Sequence, residues 1–123
     1  MIRIIVAGSR NFNNYSLLEQ SLMDYIAGNF DPNDIEIISG GARGADSLGE
    51  RFARTCQLKL KRFPADWDRY GKSAGYLRNA EMADYAKQET GVLFAFWDGQ
   101  SRGTQHMINL ATTKGLEVHV VKF

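Results

Sequence analysis

Five short apolar runs, separated by longer segments with helical spacing, constrain the fold of this chain more than any other feature. The runs are rich in β-branched residues or phenylalanine, as strands are, and they cover residues 2–7, 35–38, 58–63, 92–97 and 118–121. Parallel strands need crossover connections, and helices commonly supply them. The alternation therefore predicts an α/β fold with a five-stranded parallel sheet and helices on both faces.

Four helical segments are expected between these runs. Apolar residues recur at spacings of three and four in the first of them, and Ser16 with Glu19 predicts a capping box at its start. The last segment ends at Gly115, a residue type that commonly terminates helices. The other segments are expected near residues 45–56 and 74–87, and the last near 104–114.

The length and composition fit one soluble domain over residues 1–123. Fifteen Lys and Arg against fourteen Asp and Glu leave a formal charge of +1, which argues against a protein that coats DNA. The single cysteine, Cys56, excludes an internal disulfide and favours a reducing compartment. Since no apolar run is long enough for a membrane span, we expect a cytoplasmic protein without a membrane partner.

Glycines are concentrated just after the predicted strands, which is the sheet edge where ligands of parallel α/β proteins bind. Gly8-Ser9-Arg10 follows the first strand and offers a hydroxyl and a guanidinium to a phosphate or carboxylate. The turn after the second strand leads directly into a helix and resembles a phosphate cradle, because glycine N–H groups and the helix dipole favour an anion. This turn contains Gly40, Gly41, Arg43, Gly44 and Asp46. The alternative explanation is a plain strand-to-loop turn with a surface arginine for the first of these turns, and packing alone for the second.

The segment from Lys59 to Arg78 is locally basic, with six basic and two acidic side chains. Trp67 and two tyrosines interleave with these cations, a combination that can stack a base and neutralise phosphates. For Trp67 alone, closure over the hydrophobic core is the favoured alternative. Asn79, next to Arg78, is a reasonable polar contact for a nucleotide.

A second anion-friendly helix start follows the fourth strand. It comprises Asp98, Gly99, Ser101, Arg102, Gly103 and Thr104. Asp98 is a candidate for accepting ribose hydrogen bonds or for capping the loop. His106 and His119 are isolated from other metal-ligand residue types, so we expect neither a metal site nor a cofactor.

These motifs together resemble the YspA-type branch of the SLOG superfamily, and they follow one another in order along nearly the whole chain. The matching elements are Gly8-Ser-Arg, residues 39–46, Pro64-Ala-Asp-Trp67, Arg78-Asn79 with Met82, and residues 95–104. The resemblance implies a Rossmann-like domain that recognises nucleotides or nucleotide-derived ligands, as a predicted ligand sensor. Many relatives in this superfamily self-associate, so the resemblance is compatible with a homo-oligomer.

The same superfamily includes phosphoribohydrolases of the Lonely Guy type and DNA-processing proteins. The hydrolases' Arg-Lys-x-x-Met element is similar to residues 78–82. Their catalytic glutamate, however, corresponds to Met107 in this chain. The thioether of a methionine can neither stabilise an oxocarbenium-like charge nor activate water. If the chain is an enzyme, its catalytic candidates are Arg78, Asp98 and Glu81.

The favoured function is binding of a nucleotide-derived ligand, with ADP-ribose-related molecules among the candidates, by a sensor or sequestering protein. The alternatives are a nucleotide hydrolase or phosphoribohydrolase and, less favoured, a single-stranded DNA-binding protein. The predicted binding residues are Gly8, Ser9, Arg10, Gly40, Gly41, Arg43, Gly44, Asp46, Trp67, Arg78, Asn79, Asp98, Gly99, Ser101, Arg102, Gly103 and Thr104.

Overall fold

The computed structural model describes residues 1–123, and its central element is a five-stranded, all-parallel sheet. The strands are β1 (Ile2–Gly8), β2 (Ile35–Ser39), β3 (Lys59–Arg62), β4 (Thr90–Trp97) and β5 (Glu117–Lys122). Their order in the sheet is β3-β2-β1-β4-β5. The chain thus adds β2 and β3 on one side of β1 and then crosses over to add β4 and β5 on the other side. The predicted α/β class and parallel sheet are confirmed.

Helices cover both faces of this sheet. They are α1 (Tyr15–Ile26), α2 (Ala45–Thr55), the single-turn α3 (Trp67–Tyr70), α4 (Ala74–Lys87) and α5 (Arg102–Thr113), with short 3₁₀ turns at Pro32–Asp34 and Gly71–Ser73. No helix combines the length and the apolar character that crossing a bilayer requires.

The core has two layers because successive strand residues point to opposite faces. In β1, Ile4 and Val6 pack with α1 and α2, while Ile5 and Ala7 pack with α4 and α5. Large side chains such as Phe52 fill the first layer. Alanines and methionines of α4 and α5 dominate the second layer on the helix side, which lets these two helices approach the sheet closely.

The predicted capping box at Ser16 is wrong. The helix begins at Tyr15, and the side chain of Asn14 caps it by accepting the N–H of Leu17 at 3.1 Å. Asparagine is as good an N-cap as serine. Because Asn14 takes this role, Ser16 lies inside the helix. Helix α5 ends at Thr113 with Lys114 as its C-cap, and the expected terminating glycine, Gly115, follows with φ of +83°.

Candidate functional site

A cavity of about 760 Å³ opens at the carboxyl ends of β1 and β4. These neighbouring strands connect to the rest of the sheet in opposite directions, so the loops that follow them diverge and leave a crevice. Most of the predicted binding residues line this main cavity: Gly8, Ser9, Arg10, Arg43, Asp46, Trp67, Arg78, Asn79, Asp98, Ser101, Gly103 and Thr104.

Six predicted residues lie elsewhere. Gly40 and Gly41 line a smaller neighbouring cavity, whereas Gly44, Gly99 and Arg102 line neither. Glu81, a catalytic candidate, is exposed on a different face of α4 from the cavity-lining Arg78 and Met82, so the structure does not bring it to the cavity.

The sequence interpretation also missed residues that line the main cavity. They are Ala7, Asn11, Ala42, Lys72, Gly75, Tyr76, Met82 and Met107. Ala7, Met82 and Met107 belong to the core, and periodicity does not reveal which core residues end at a cavity wall. Lys72 and Tyr76 carried a usable signal, because both belong to the basic, aromatic segment around the start of α4.

The glycine-rich turn between β2 and α2 differs from the expected phosphate cradle. The N–H of Gly41 donates to the hydroxyl of Ser39 at 3.0 Å, and the N–H of Ala42 donates to Oδ2 of Asp46 at 3.3 Å. These two N–H groups are therefore committed within the turn. Gly44 has φ of +81°, and a Cβ there would lie 2.4 Å from the carbonyl oxygen of Ser9, so backbone packing explains this glycine.

The buried Asp46 and the half-buried Arg78 form the polar centre of the site, and both lie next to Gly40. Nη1 of Arg78 donates to the carbonyl of Gly40 at 2.7 Å, and a Cβ on this glycine would lie 2.6 Å from Nη1 and 2.9 Å from Oδ2 of Asp46. Burial raises the pKa of Asp46 to about 6, although the Ala42 N–H and the Arg78 charge oppose the shift. Burial also lowers the pKa of Arg78, yet a guanidinium stays charged in proteins.

Asp98 organises the turn that leads into α5. Its Oδ1 accepts the N–H groups of Gln100 at 2.8 Å and Ser101 at 2.9 Å, and these bonds hold its pKa below the ordinary value. The hydroxyl of Ser101 caps the helix by accepting the N–H of Thr104 at 3.4 Å. Other N–H groups of this first turn have no intrahelical acceptor, so the helix start retains its affinity for an anion.

Aromatic side chains flank the opening of the main cavity. Trp67 and Tyr76 are 49% and 47% exposed, so Trp67 does not close over the core as its favoured alternative required. The guanidinium carbon of Arg10 lies 6.0 Å from the centre of the Trp67 ring. Exposed rings beside cations form a surface on which a planar base can stack.

Basic groups outnumber acidic groups around the main cavity. Arg10, Arg43, Lys72 and Arg78 line it, against Asp46 and Asp98. Arg10 and Arg43 form no ion pair within the chain. Since the whole chain carries a formal charge of only +1, this excess is local and favours an anionic ligand.

The doubly wound parallel sheet with a polar, basic crevice at its switch point defines a Rossmann-like α/β protein. The chain belongs to the YspA, cpYpsA-related SLOG family, whose model matches residues 2–70. It is also similar to the Gene 61 protein of Mycobacterium phage D29, at 32% identity over an alignment of 123 positions, which covers 96% of this chain and 94% of that protein. Family membership is compatible with a nucleotide-related ligand.

Proposed function

We propose that this protein binds a nucleotide or nucleotide-derived ligand in the main cavity and acts as a ligand sensor or a sequestering module. ADP-ribose-related molecules are among the candidate ligands. One observation carries the proposal: the switch-point cavity combines unpaired arginines, a capped helix start and an aromatic rim. The arginines and the helix start suit a phosphate, and the aromatic rim and the cavity walls suit a base and a ribose.

A thermal unfolding screen against nucleotides tests this proposal. Only the folded chain assembles the cavity, so a ligand at a hundred times its dissociation constant adds about 2.7 kcal/mol to the free energy of unfolding. In a domain of this size the melting temperature should rise by roughly 5–15 °C. The screen should include nucleoside mono- and diphosphates, cyclic nucleotides and ADP-ribose. If none of these shifts the melting temperature, the proposed site is wrong.

Matched arginine variants show whether the ligand occupies the main cavity. Arg10→Ala should reduce the thermal shift, because it removes an exposed guanidinium that lines the cavity without an ion-pair partner. Arg54→Ala removes the same side chain from an exposed position on α2 outside the cavity, so it should preserve the shift. A full shift in a well-folded Arg10→Ala protein would contradict the assignment.

Hydrolysis of the bound nucleotide is a second candidate function, because the carboxyl groups of Asp46 and Asp98 both line the main cavity. A carboxyl whose pKa is near 6 suits proton transfer at neutral pH. Against hydrolysis, Met107 lines the cavity where the related phosphoribohydrolases carry a glutamate. Mass spectrometry of nucleotides recovered after incubation distinguishes the functions, since a binding module returns its ligand unaltered.

A further inference from the structure

A second cavity, of about 470 Å³, opens beside the main cavity, and we call it the side lobe. Its walls come from the turns that follow β1, β2 and β3, and from α3 and α4. The lining residues are Arg10, Gly40, Gly41, Ala42, Arg43, Pro64, Ala65, Trp67 and Arg78. The two cavities share Arg10, Ala42, Arg43, Trp67 and Arg78, so one ligand can extend from one into the other.

The side lobe is lined by three arginines and by no carboxylate. Arg10 and Arg43 form no ion pair within the chain, whereas the nearby Arg62 is held by Glu50 at 3.1 Å. Arg78 donates from Nη1 to the Gly40 carbonyl at 2.7 Å and from Nε to Oδ1 of Asn79 at 3.1 Å, and its Nη2 group remains as a donor. Asp46 lies beside Arg78, but Arg10 and Arg43 have no carboxylate within ion-pair distance. Arginines without an ion-pair partner in a groove suit a phosphate better than they suit a sugar or a base.

The main cavity has a different character. Ala7, Met82 and Met107 give it an apolar part, and Trp67 and Tyr76 border its opening. These surfaces suit the base and ribose of a nucleoside. A nucleoside seated there places its phosphates next to the arginines that border both cavities.

On this basis, and resting on the proposed function, we propose that the ligand carries at least two linked phosphates and that the side lobe holds the outer one. The ligand class is then the nucleoside diphosphates and their esters, and nucleoside monophosphates are incomplete ligands. The prediction concerns the phosphate chain and is independent of the base.

Isothermal titration of matched mono- and diphosphate pairs tests the inference, with AMP/ADP, GMP/GDP, CMP/CDP and UMP/UDP at one fixed low salt concentration. For the base that binds, the diphosphate should bind about tenfold more tightly, because it adds charge-assisted contacts in the side lobe. Equal affinities within a pair would overturn the inference and leave nucleotide binding intact. If no member of any pair binds, the inference is overturned, and the thermal screen, which also contains cyclic nucleotides and ADP-ribose, then decides whether the proposed function fails as well.

Substitution at Ala65 locates the outer phosphate, because this residue lines only the side lobe. Ala65→Asp adds a negative charge there, and Ala65→Asn adds a neutral side chain of nearly the same size. The diphosphate should bind about tenfold more weakly to the Asp variant than to the Asn variant, whereas the monophosphate should differ by less than about threefold. Equal ratios for the two ligands would contradict the assignment.

Arg43→Gln supplies an independent variant on the wall that the two cavities share, in case the Ala65 variants do not fold. It should remove most of the preference for the diphosphate over the monophosphate. Arg54→Ala, outside both cavities, should retain the preference. A well-folded Arg43→Gln protein with the full preference would overturn the role of the side lobe.

Discussion

Replacing Asp46 by asparagine should change how the stability of this protein depends on pH. Asp46 is 5% exposed, and burial raises the pKa of its carboxyl from the ordinary value of 3.8 to about 6. Between pH 3.8 and about pH 6, Asp46 holds a proton in the folded chain and releases it in the unfolded chain. The free energy of unfolding therefore falls as pH rises through this interval, and the loss is complete above about pH 6. An asparagine side chain has no such proton, so the Asp46→Asn variant lacks this loss.

The two pKa values give the size of the effect. A shift of about two pKa units corresponds to about 3 kcal/mol, of which about 2 kcal/mol develops between pH 4.5 and 7.5. Over that interval the stability of Asp46→Asn should increase by about 2 kcal/mol relative to the unmodified protein. For a chain of this length, the difference in melting temperature should grow by roughly 8 °C.

Urea unfolding of both proteins at several pH values measures this difference. The pKa of His106 is lowered by burial, and those of Asp98 and Glu117 are lowered by hydrogen bonds, so these groups also give a pH dependence. Because they are present in both proteins, their contributions cancel in the difference. A difference in stability that stays constant from pH 4.5 to 7.5 would refute the reasoning.

Three further predictions concern the packing and chemistry of the site. Gly40→Ala should destabilise the fold by about 1–3 kcal/mol in chemical denaturation and weaken nucleotide binding, because the new Cβ meets Arg78 and Asp46. Gly103→Ala is the matched control, since no atom lies within 4 Å of its Cβ, and it should lower the free energy of unfolding less than Gly40→Ala does. Chromatography should detect no appreciable free base from nucleoside monophosphates, since the cavity residue Met107 carries a thioether, which cannot act as a catalytic carboxylate. Steady release of base that disappears in Arg78→Ala would contradict this. In fluorescence anisotropy, the protein should bind single-stranded DNA weakly and lose affinity steeply with added salt, because its basic groups are confined to one region. Nanomolar binding at physiological salt would favour the DNA-binding alternative.

Periodicity predicted the strands and helices because each element buries one face or both faces in a continuous core. Every predicted strand is present, with ends that differ by at most two residues. The start of β4 was missed because Thr90 and Gly91 carry no apolar signal, although both continue the parallel register beside Ile2 and Arg3. The start of α1 was misplaced because Asn14 and Ser16 are equally good capping residues from the sequence alone.

The location of the candidate site was also predictable, because the carboxyl ends of parallel strands meet at one edge of the sheet. Which groups remain free there was not predictable. The sequence does not reveal that Ser39 accepts the Gly41 N–H or that Asp46 accepts the Ala42 N–H. Such short contacts depend on the path of the turn, and glycine permits many paths. The N–H groups of Gly41 and Ala42, which the expected cradle required, are consequently already bonded within the turn.

Gly40 and Asp46 together argue that this edge of the sheet is arranged for a ligand. The concentration of glycines indicated a close approach, and at Gly40 the approaching groups are the side chains of Arg78 and Asp46. Ionised Asp46 costs about 3 kcal/mol at neutral pH, a cost that a neutral isostere would avoid. The mostly buried charges of Arg3 and Glu36, by contrast, are paired with each other at 3.2 Å. Functional sites are where proteins retain destabilising arrangements of this kind, so the Asp46→Asn variant tests whether the proposed nucleotide site depends on this carboxylate: stability should increase at neutral pH, and nucleotide affinity should change in the same variant.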